Sequence, residues 1–171
     1  LHFEGTKYFK GLSQINHYEI IGQAEKHIAL TDRFFLGSSL KAKYSSSGYQ
    51  PYFAQRGFGF DDYVRGYEYY VVDGQDFWLS KTGLKYAIIE KTNFEIPFLR
   101  MKQFKKAHYS LYFGVFSDLG YVIDKQTDQE NYLSNSVLFG KGISLDYVTY
   151  YDKLLRIEFS VNHLGEKGVF L

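Results

Sequence analysis

The chain has no cysteine, and it has only two prolines and one methionine among its 171 residues. The absence of cysteine excludes disulfides, thiolate metal sites and a cysteine nucleophile. There is no run of about 18 apolar residues, so we expect no transmembrane helix. Acidic and basic residues nearly balance, at a formal net charge of +1. Because the basic residues are scattered along the chain, we expect no nucleic-acid partner.

Catalytic and cofactor motifs are also missing or out of context. Ser38-Ser39-Leu40-Lys41 and Lys81-Thr82-Gly83 match motifs of serine β-lactamases, but both lie in strand-like segments at the wrong spacing. The pair Gly57 and Gly59 lacks the third glycine of a dinucleotide site. The five histidines show no metal-binding spacing. We therefore predict no enzymatic activity, no cofactor and no metal site.

Aromatic residues are abundant, and apolar residues recur with a period of two. The chain contains 17 tyrosines and 16 phenylalanines. In the segment 156–162, Ile157, Phe159 and Val161 alternate with charged and polar residues. The segment 108–120 alternates in the same way, and its second face carries Asp118 among glycines, a serine and aromatics. A period of two is the pattern of a β-strand with two different faces.

Eight such segments predict one all-β antiparallel domain over residues 1–171. Several exceed ten residues, whereas strands of globular proteins usually have five or six. The candidate strands are 3–11, 17–30, 34–45, 76–90, 107–123, 136–149, 153–163 and a short one from residue 168.

The connections between these strands are short or long in near alternation, and 91–106 breaks that rule. Long alternating strands with aromatic ends and unequal loops are typical of a transmembrane β-barrel. A soluble antiparallel sandwich or barrel has the same alternation. We favour the membrane barrel because the second face mixes glycine, serine, aspartate and large aromatics, which suits a lumen that admits a plug or water. The basic stretch 100–106 is expected to be a solvated connector, with contact to lipid phosphates or a periplasmic partner as the alternative.

The segment 46–75 is predicted to be a long loop, rich in aromatic residues, that packs inside an enclosing structure. A structureless connection of about 30 residues is uncommon in a compact domain and is usually functional. An eight-stranded barrel is only wide enough for its own side chains to fill. We therefore expect the eight strands to be half of a larger barrel; a small barrel with the loop outside is the alternative.

At this point the sequence resembles the Omp85 superfamily of outer-membrane proteins. The hallmark of its lumen loop is matched by residues 64–67, which are Val64, Arg65, Gly66 and Tyr67. The later strand motif is matched by Phe116-Ser117-Asp118-Leu119-Gly120, and the tail 156–170 is similar to the last two strands of the family. Residues 49–53 and 72–75 are similar to the Bacteroidetes-type branch. The resemblance implies the C-terminal half of a barrel of about sixteen strands.

The resemblance implies specific roles for these residues. The loop would fold into the lumen, where Arg65 would pair with an acidic residue of the wall, and Asp118 is the proposed partner. A guanidinium gives a carboxylate bidentate, charge-assisted hydrogen bonds. Gly83 stands where the family usually has a glutamate, so Arg65 is expected to rely on Asp118 alone, or also on Glu68 or Asp146.

The function implied is insertion or translocation of proteins, or of lipids, at the outer membrane of a Gram-negative bacterium. Gly168, Val169, Phe170 and Leu171 would form the seam strand where a client strand enters. Expected partners are outer-membrane lipid and client membrane proteins. Either eight preceding strands and an N-terminal periplasmic region are missing from this chain, or a second barrel half or a second copy completes the wall. The strand-like start at Leu1 leads us to expect a mature or excised piece. Two alternatives remain open: a small non-transporting structural or lipid-binding outer-membrane barrel, and a soluble β-barrel that binds an apolar ligand.

Overall fold

The computed structural model describes residues 1–8, 17–46, 55–59, 61–95, 106–125, 131–149 and 153–171. These residues form one eight-stranded antiparallel sheet in which each strand pairs with the next in sequence. The strands are β1 (His2–Tyr8), β2 (His17–Ala29), β3 (Phe34–Ser45), β4 (Asp76–Glu95), β5 (Lys106–Ile123), β6 (Val137–Thr149), β7 (Lys153–Asn162) and β8 (Lys167–Phe170). Among the described residues, no helix has the length and apolar character needed to cross a membrane.

All eight predicted strands are confirmed, and their ends differ by a few residues. The largest difference is β4, which was predicted to end at residue 90 and continues to Glu95. Its pairing with β5 shifts register between Ala87 and Ile89 and again between Ile89 and Thr92. Such bulges interrupt the alternation of side chains, so the regular pattern ends before the strand does. The predicted stretches 9–11 and 100–105, together with 47–54 and Phe60 of the predicted loop, lie outside the described residues.

The sheet is open as far as it is described. β1 pairs with β2 and β8 pairs with β7, and neither edge strand has a second neighbour in the described part of the chain. The all-β antiparallel prediction is therefore confirmed, whereas closure into a barrel stays a prediction.

The two faces of the sheet differ in what covers them. The segment 55–75 lies against one face, which we call the loop face; the opposite side is the outer face. The register places Lys81 of β4 opposite Asp118 of β5, and Asp118 opposite Gly140 of β6. These three positions share the loop face, since directly paired residues point to the same side of a sheet.

The outer face is mainly apolar, and none of the described residues covers it. One polar row crosses it, with the paired residues Lys26, Ser38, Thr82, Ser117 and Lys141. The exposed apolar side chains of the outer face include Ile20, Leu40, Phe113, Val115, Ile143, Leu145, Ile157 and Phe159. The loop face carries the buried polar residues Lys43, Ser110, Asp118, Ser144, Asp146, Ser160 and Asn162. This distribution is the inverse of that in a water-soluble sheet, which buries its apolar face and exposes its polar one.

One compact apolar core lies between the loop and the loop face. It consists of Phe58, Val64, Tyr67 and Val72 from the loop, Phe77 and Leu79 from β4, Val122 from β5, Leu133, and Leu138 from β6. The core lies at the end of the sheet where β4 and β6 begin and β5 ends. Beyond this core the loop face is more polar, although Phe35, Tyr112 and Phe116 also lie on it. The apolar core therefore positions the loop, and mainly charged side chains surround its arginine.

Candidate functional site

The loop crosses the loop face in a sequence of turns. Phe58 and Val72 exchange backbone hydrogen bonds of 2.8 Å in both directions, which closes its base. Further along, the amide of Tyr67 donates to the carbonyl of Val64 at 2.9 Å. The tip of this turn is Arg65 followed by Gly66. The local backbone bonds therefore present Arg65 to the wall as a fixed group.

Arg65 and Asp118 form a bidentate ion pair. Nε of Arg65 donates to Oδ2 of Asp118 at 2.7 Å, and Nη2 donates to Oδ1 at 2.6 Å. The backbone amide of Arg65 also donates to Oδ2, at 3.2 Å. The Asp118 side chain is fully buried, and that of Arg65 is 15% exposed. Three donors from one residue thus satisfy a carboxylate that has no access to water, which is the arrangement such a buried charge requires.

A second carboxylate and an aromatic ring complete the surroundings of the guanidinium. Nη1 of Arg65 donates to Oε1 of Glu158 on β7 at 3.3 Å. The guanidinium carbon lies 3.7 Å from the centroid of the Phe116 ring, within the range of a cation–π contact. Arg65 therefore joins the loop to β5 and to β7 at once.

Glu158 is the partner that the sequence did not identify. The predicted alternatives have other roles: Glu68 accepts a 2.8 Å hydrogen bond from the amide of Gly66, and Asp146 pairs with Lys85 and Arg156. The alternation of 156–162 places Glu158 on the polar face, so that signal was present. What the pattern could not supply is the register that brings β7 beside the loop.

The charge state of Arg65 follows from these contacts. Burial alone lowers the pKa of Arg65, but the hydrogen bonds and negative charge of Asp118, and then of Glu158, raise it above its ordinary value. Arg65 is therefore a permanent cation. Burial also raises the pKa of the Glu68 carboxyl.

Gly66 and Tyr67 lock the tip of the loop to the end of β7. Gly66 has a φ of 97°, a conformation that residues with a side chain rarely adopt. Its carbonyl accepts a 3.0 Å hydrogen bond from Nδ2 of Asn162. Tyr67 is 2% exposed, and its hydroxyl hydrogen-bonds Nδ1 of His163. Burial is the main cause that raises the pKa of Tyr67 to about 12.

Glycines in the wall let the loop approach the backbone closely. A Cβ at Gly140 would overlap the carbonyl oxygen of Arg65, and a Cβ at Gly120 would overlap Phe58 and Val64. The predicted strand motif thus has two separate roles. Phe116 stacks on the arginine, while Gly120 leaves space for the apolar core.

The predicted seam strand lies at one edge of the sheet. β8 pairs with β7, with Val169 opposite Phe159 and Gly168 opposite Ser160. Val169 is 67% exposed on the outer face. The ring of Phe170 lies 5.6 Å from that of Tyr69, so the loop contacts this edge as well. Leu171 follows the strand and is exposed.

Metal-binding groups do not come together in the described part of the chain, where no three His, Asp or Glu side chains are placed to hold an ion. The ion pairs of Arg65 with Asp118 and Glu158, and that of Asp62 with Lys41, instead join the loop to β5, β7 and β3. These contacts anchor the loop on the strands of the loop face.

The similarity of the chain to proteins of known family was tested in three ways. No protein-family model, no curated protein and no solved structure matches it.

Proposed function

We propose that the chain forms part of an Omp85-type outer-membrane β-barrel that assists the insertion or translocation of proteins, or of lipids. One arrangement carries this proposal. The loop with the Val64-Arg65-Gly66-Tyr67 motif is anchored by Asp118 and Glu158 on the polar face of a sheet whose other face is apolar.

The apolar outer face supports contact with lipid. Apolar patches larger than a few hundred Å² are rare on soluble monomers and mark membrane or protein contacts. The strands also have the right length, because a membrane-crossing strand needs about 9–11 residues and β2, β3 and β6 have 13, 12 and 13. In water each Å² of such a face would cost about 25 cal/mol.

The covered loop face supports a barrel larger than eight strands. An eight-stranded barrel has room only for its own side chains, yet here a loop with its own apolar core lies on the sheet. Free sheet edges leave backbone groups unsatisfied in lipid, which is prohibitively costly. A second barrel half, a second copy of the chain or a preceding region would supply the strands that close the wall.

The mechanism follows from the edge strand and the loop. β8 (Lys167–Phe170) pairs with β7 at the edge of the described sheet, and its displacement would free the edge of β7. An exposed edge offers N–H and C=O groups to which a client strand adds by pairing. The Arg65 loop would brace β5 and β7 while this edge is open. No step needs a cofactor.

The test is a client-insertion assay. The detergent-extracted protein, with any chains that accompany it, is reconstituted into phosphatidylethanolamine–phosphatidylglycerol vesicles, and the folding rate of a urea-unfolded small outer-membrane barrel is measured. We expect faster folding than in empty vesicles, and loss of the gain with Arg65→Ala. Lys91→Ala, an exposed position on β4, is the matched control. Equal rates with wild-type and empty vesicles would contradict the proposed function.

A further inference from the structure

A cavity of about 370 Å³ lies on the loop face beside the Arg65 anchor. Four cationic side chains line it: Arg65 from the loop, Lys81 and Lys85 from β4, and Arg156 from β7. Such a concentration of positive charge in one cavity needs compensation, since like charges close together repel. Carboxylates of the wall pair with three of these cations, and the fourth, Lys81, has no ion-pair partner among the described residues.

Glycines create the cavity. Gly37 of β3 and Gly83 of β4 are directly paired and share the loop face. Lys81 and Lys85 are each two residues from Gly83, so they stand on the same face on either side of it. A Cβ at Gly83 would meet only ordinary contacts, at 3.7 Å and beyond. The floor is therefore bare backbone at Gly83, with Lys81 on one side and Lys85 on the other, while the His27 side chain lies close over Gly37.

Three of the four cations have carboxylate partners. Arg65 pairs with Asp118 and Glu158. Lys85 and Arg156 both pair with Asp146, which is 2% exposed: Lys85 approaches it at 2.5 Å and Arg156 at 2.8 Å. Arg156 also lies 3.8 Å from Glu158. Glu25, at the other side of the cavity, accepts a 2.7 Å hydrogen bond from Gln23.

Lys81 is the cation without a carboxylate. Within the described residues its ammonium makes no ion pair, and it lies 4.4 Å from the centroid of the Tyr63 ring. The ring of a tyrosine attracts a cation but does not neutralise it. The Lys81 ammonium thus lines the cavity without an ion-pair partner of its own. It lies beside Lys85 and Arg156, whose partners are Asp146 for both and also Glu158 for Arg156.

We propose that this cavity binds a phosphate group, with Lys81 as its main ligand and Lys85 and Arg156 as additional donors. Arginine and lysine are the residues that recognise phosphate in proteins. Here they approach from two strands over a glycine floor, which suits a tetrahedral oxyanion whose oxygens point in different directions. The phosphate can be free in solution or part of a lipid headgroup. This site does not depend on the proposed role in protein insertion.

The experiment measures thermal unfolding of the full chain in non-ionic detergent at constant ionic strength. Sodium phosphate is titrated against sodium chloride in one arm, and phosphatidylglycerol against phosphatidylcholine in mixed micelles in the other. A ligand that binds only the folded state raises the unfolding temperature in a saturable way. We expect such a rise in at least one arm; saturation by phosphate alone identifies a free anion, and saturation by phosphatidylglycerol identifies a lipid headgroup.

Variants decide whether the cavity is responsible. Lys81→Gln should weaken the apparent affinity by about tenfold, because it removes a charge-assisted contact. Lys81→Arg should retain binding, and Lys91→Gln, an exposed lysine on the same strand, should leave it unchanged. No saturable rise in either arm would overturn the proposal, and so would an equal rise in the Lys81→Gln and Lys91→Gln variants. Client insertion by Lys81→Gln, measured separately, distinguishes failure of this site from failure of the proposed function.

Discussion

At the scale of single residues, the Arg65–Asp118 ion pair is the contact on which the stability of the loop depends most. Asp118 is fully buried and receives three hydrogen bonds from Arg65. Breaking a buried pair by removing one partner is strongly destabilising, because a charge is left without compensation. The backbone bond to Asp118 also fixes where the turn sits on β5.

Replacement of Asp118 should therefore destabilise the fold. Because Glu158 still contacts the guanidinium, we expect Asp118→Ala to cost about 3 kcal/mol, at the low end for a broken buried pair. Urea unfolding of the chain in detergent micelles measures this difference. Asp118→Asn keeps the shape and removes the charge, so a similar loss would assign the effect to electrostatics. Asp32→Ala, in the exposed turn after β2, should change stability by less than about 0.5 kcal/mol. An Asp118→Ala variant as stable as the Asp32→Ala control would contradict the anchoring role.

At the scale of elements, the strands carry opposite chemistry on their two faces. In β6 the exposed apolar residues Ile143 and Leu145 alternate with the buried polar residues Ser144 and Asp146. The same inversion runs through β5 and β7. A strand with this pattern is stable only if its apolar side meets another apolar medium, since water would penalise the whole outer face.

The cost of placing a charged residue on the outer face of β6 should consequently depend on its depth in the lipid bilayer. Ile143 is at the centre of β6 and Val137 begins it, and both are exposed on the outer face. In a lipid bilayer an arginine costs about 2–4 kcal/mol at the midplane and about 0–1 near the interface. We expect Ile143→Arg to reduce the free energy of folding into phospholipid vesicles by the larger amount and Val137→Arg by the smaller. Small and equal effects at both positions would favour the soluble β-barrel.

At the scale of the whole molecule, the open sheet determines what must surround it. β1 and β8 each have one neighbour in the described part of the chain, and the loop lies on the loop face, where a small barrel would pack its own side chains. The composite or longer wall that we propose would satisfy both constraints, because it would pair the edges and widen the interior.

The native mass of the detergent-extracted assembly, measured together with the denaturing mass of each chain in it, tests this expectation. We expect an assembly whose protein mass exceeds that of the 171-residue chain, 20.0 kDa. A second copy, a second β-rich chain or a longer polypeptide would each account for the excess. A lone chain of 20.0 kDa would contradict the large barrel and favour a small one with its loop outside.

The period-two alternation was enough to predict the strands and their two faces, and the loop motif was enough to single out Arg65 as a candidate residue. Alternation with a period of two is a local property, because successive side chains of a strand point to opposite sides whatever the strand pairs with. This is why all eight strands were predictable, and why Asp118 could be assigned to the polar face. The loop motif was also visible, since it is a contiguous run of residues.

Which residues come into contact could not be predicted from the local pattern. Arg65 and Glu158 are 93 positions apart, and Gly66 and Asn162 are 96 apart, so their contacts depend on the register of several strand pairs in succession. Register is set by packing over the entire sheet, and a one-residue slip would turn every side chain to the other face. The same cause brings Lys81, Lys85 and Arg156 around one cavity. The site therefore depends on the register of strand pairs that are distant in sequence, and not on the local alternation of side chains.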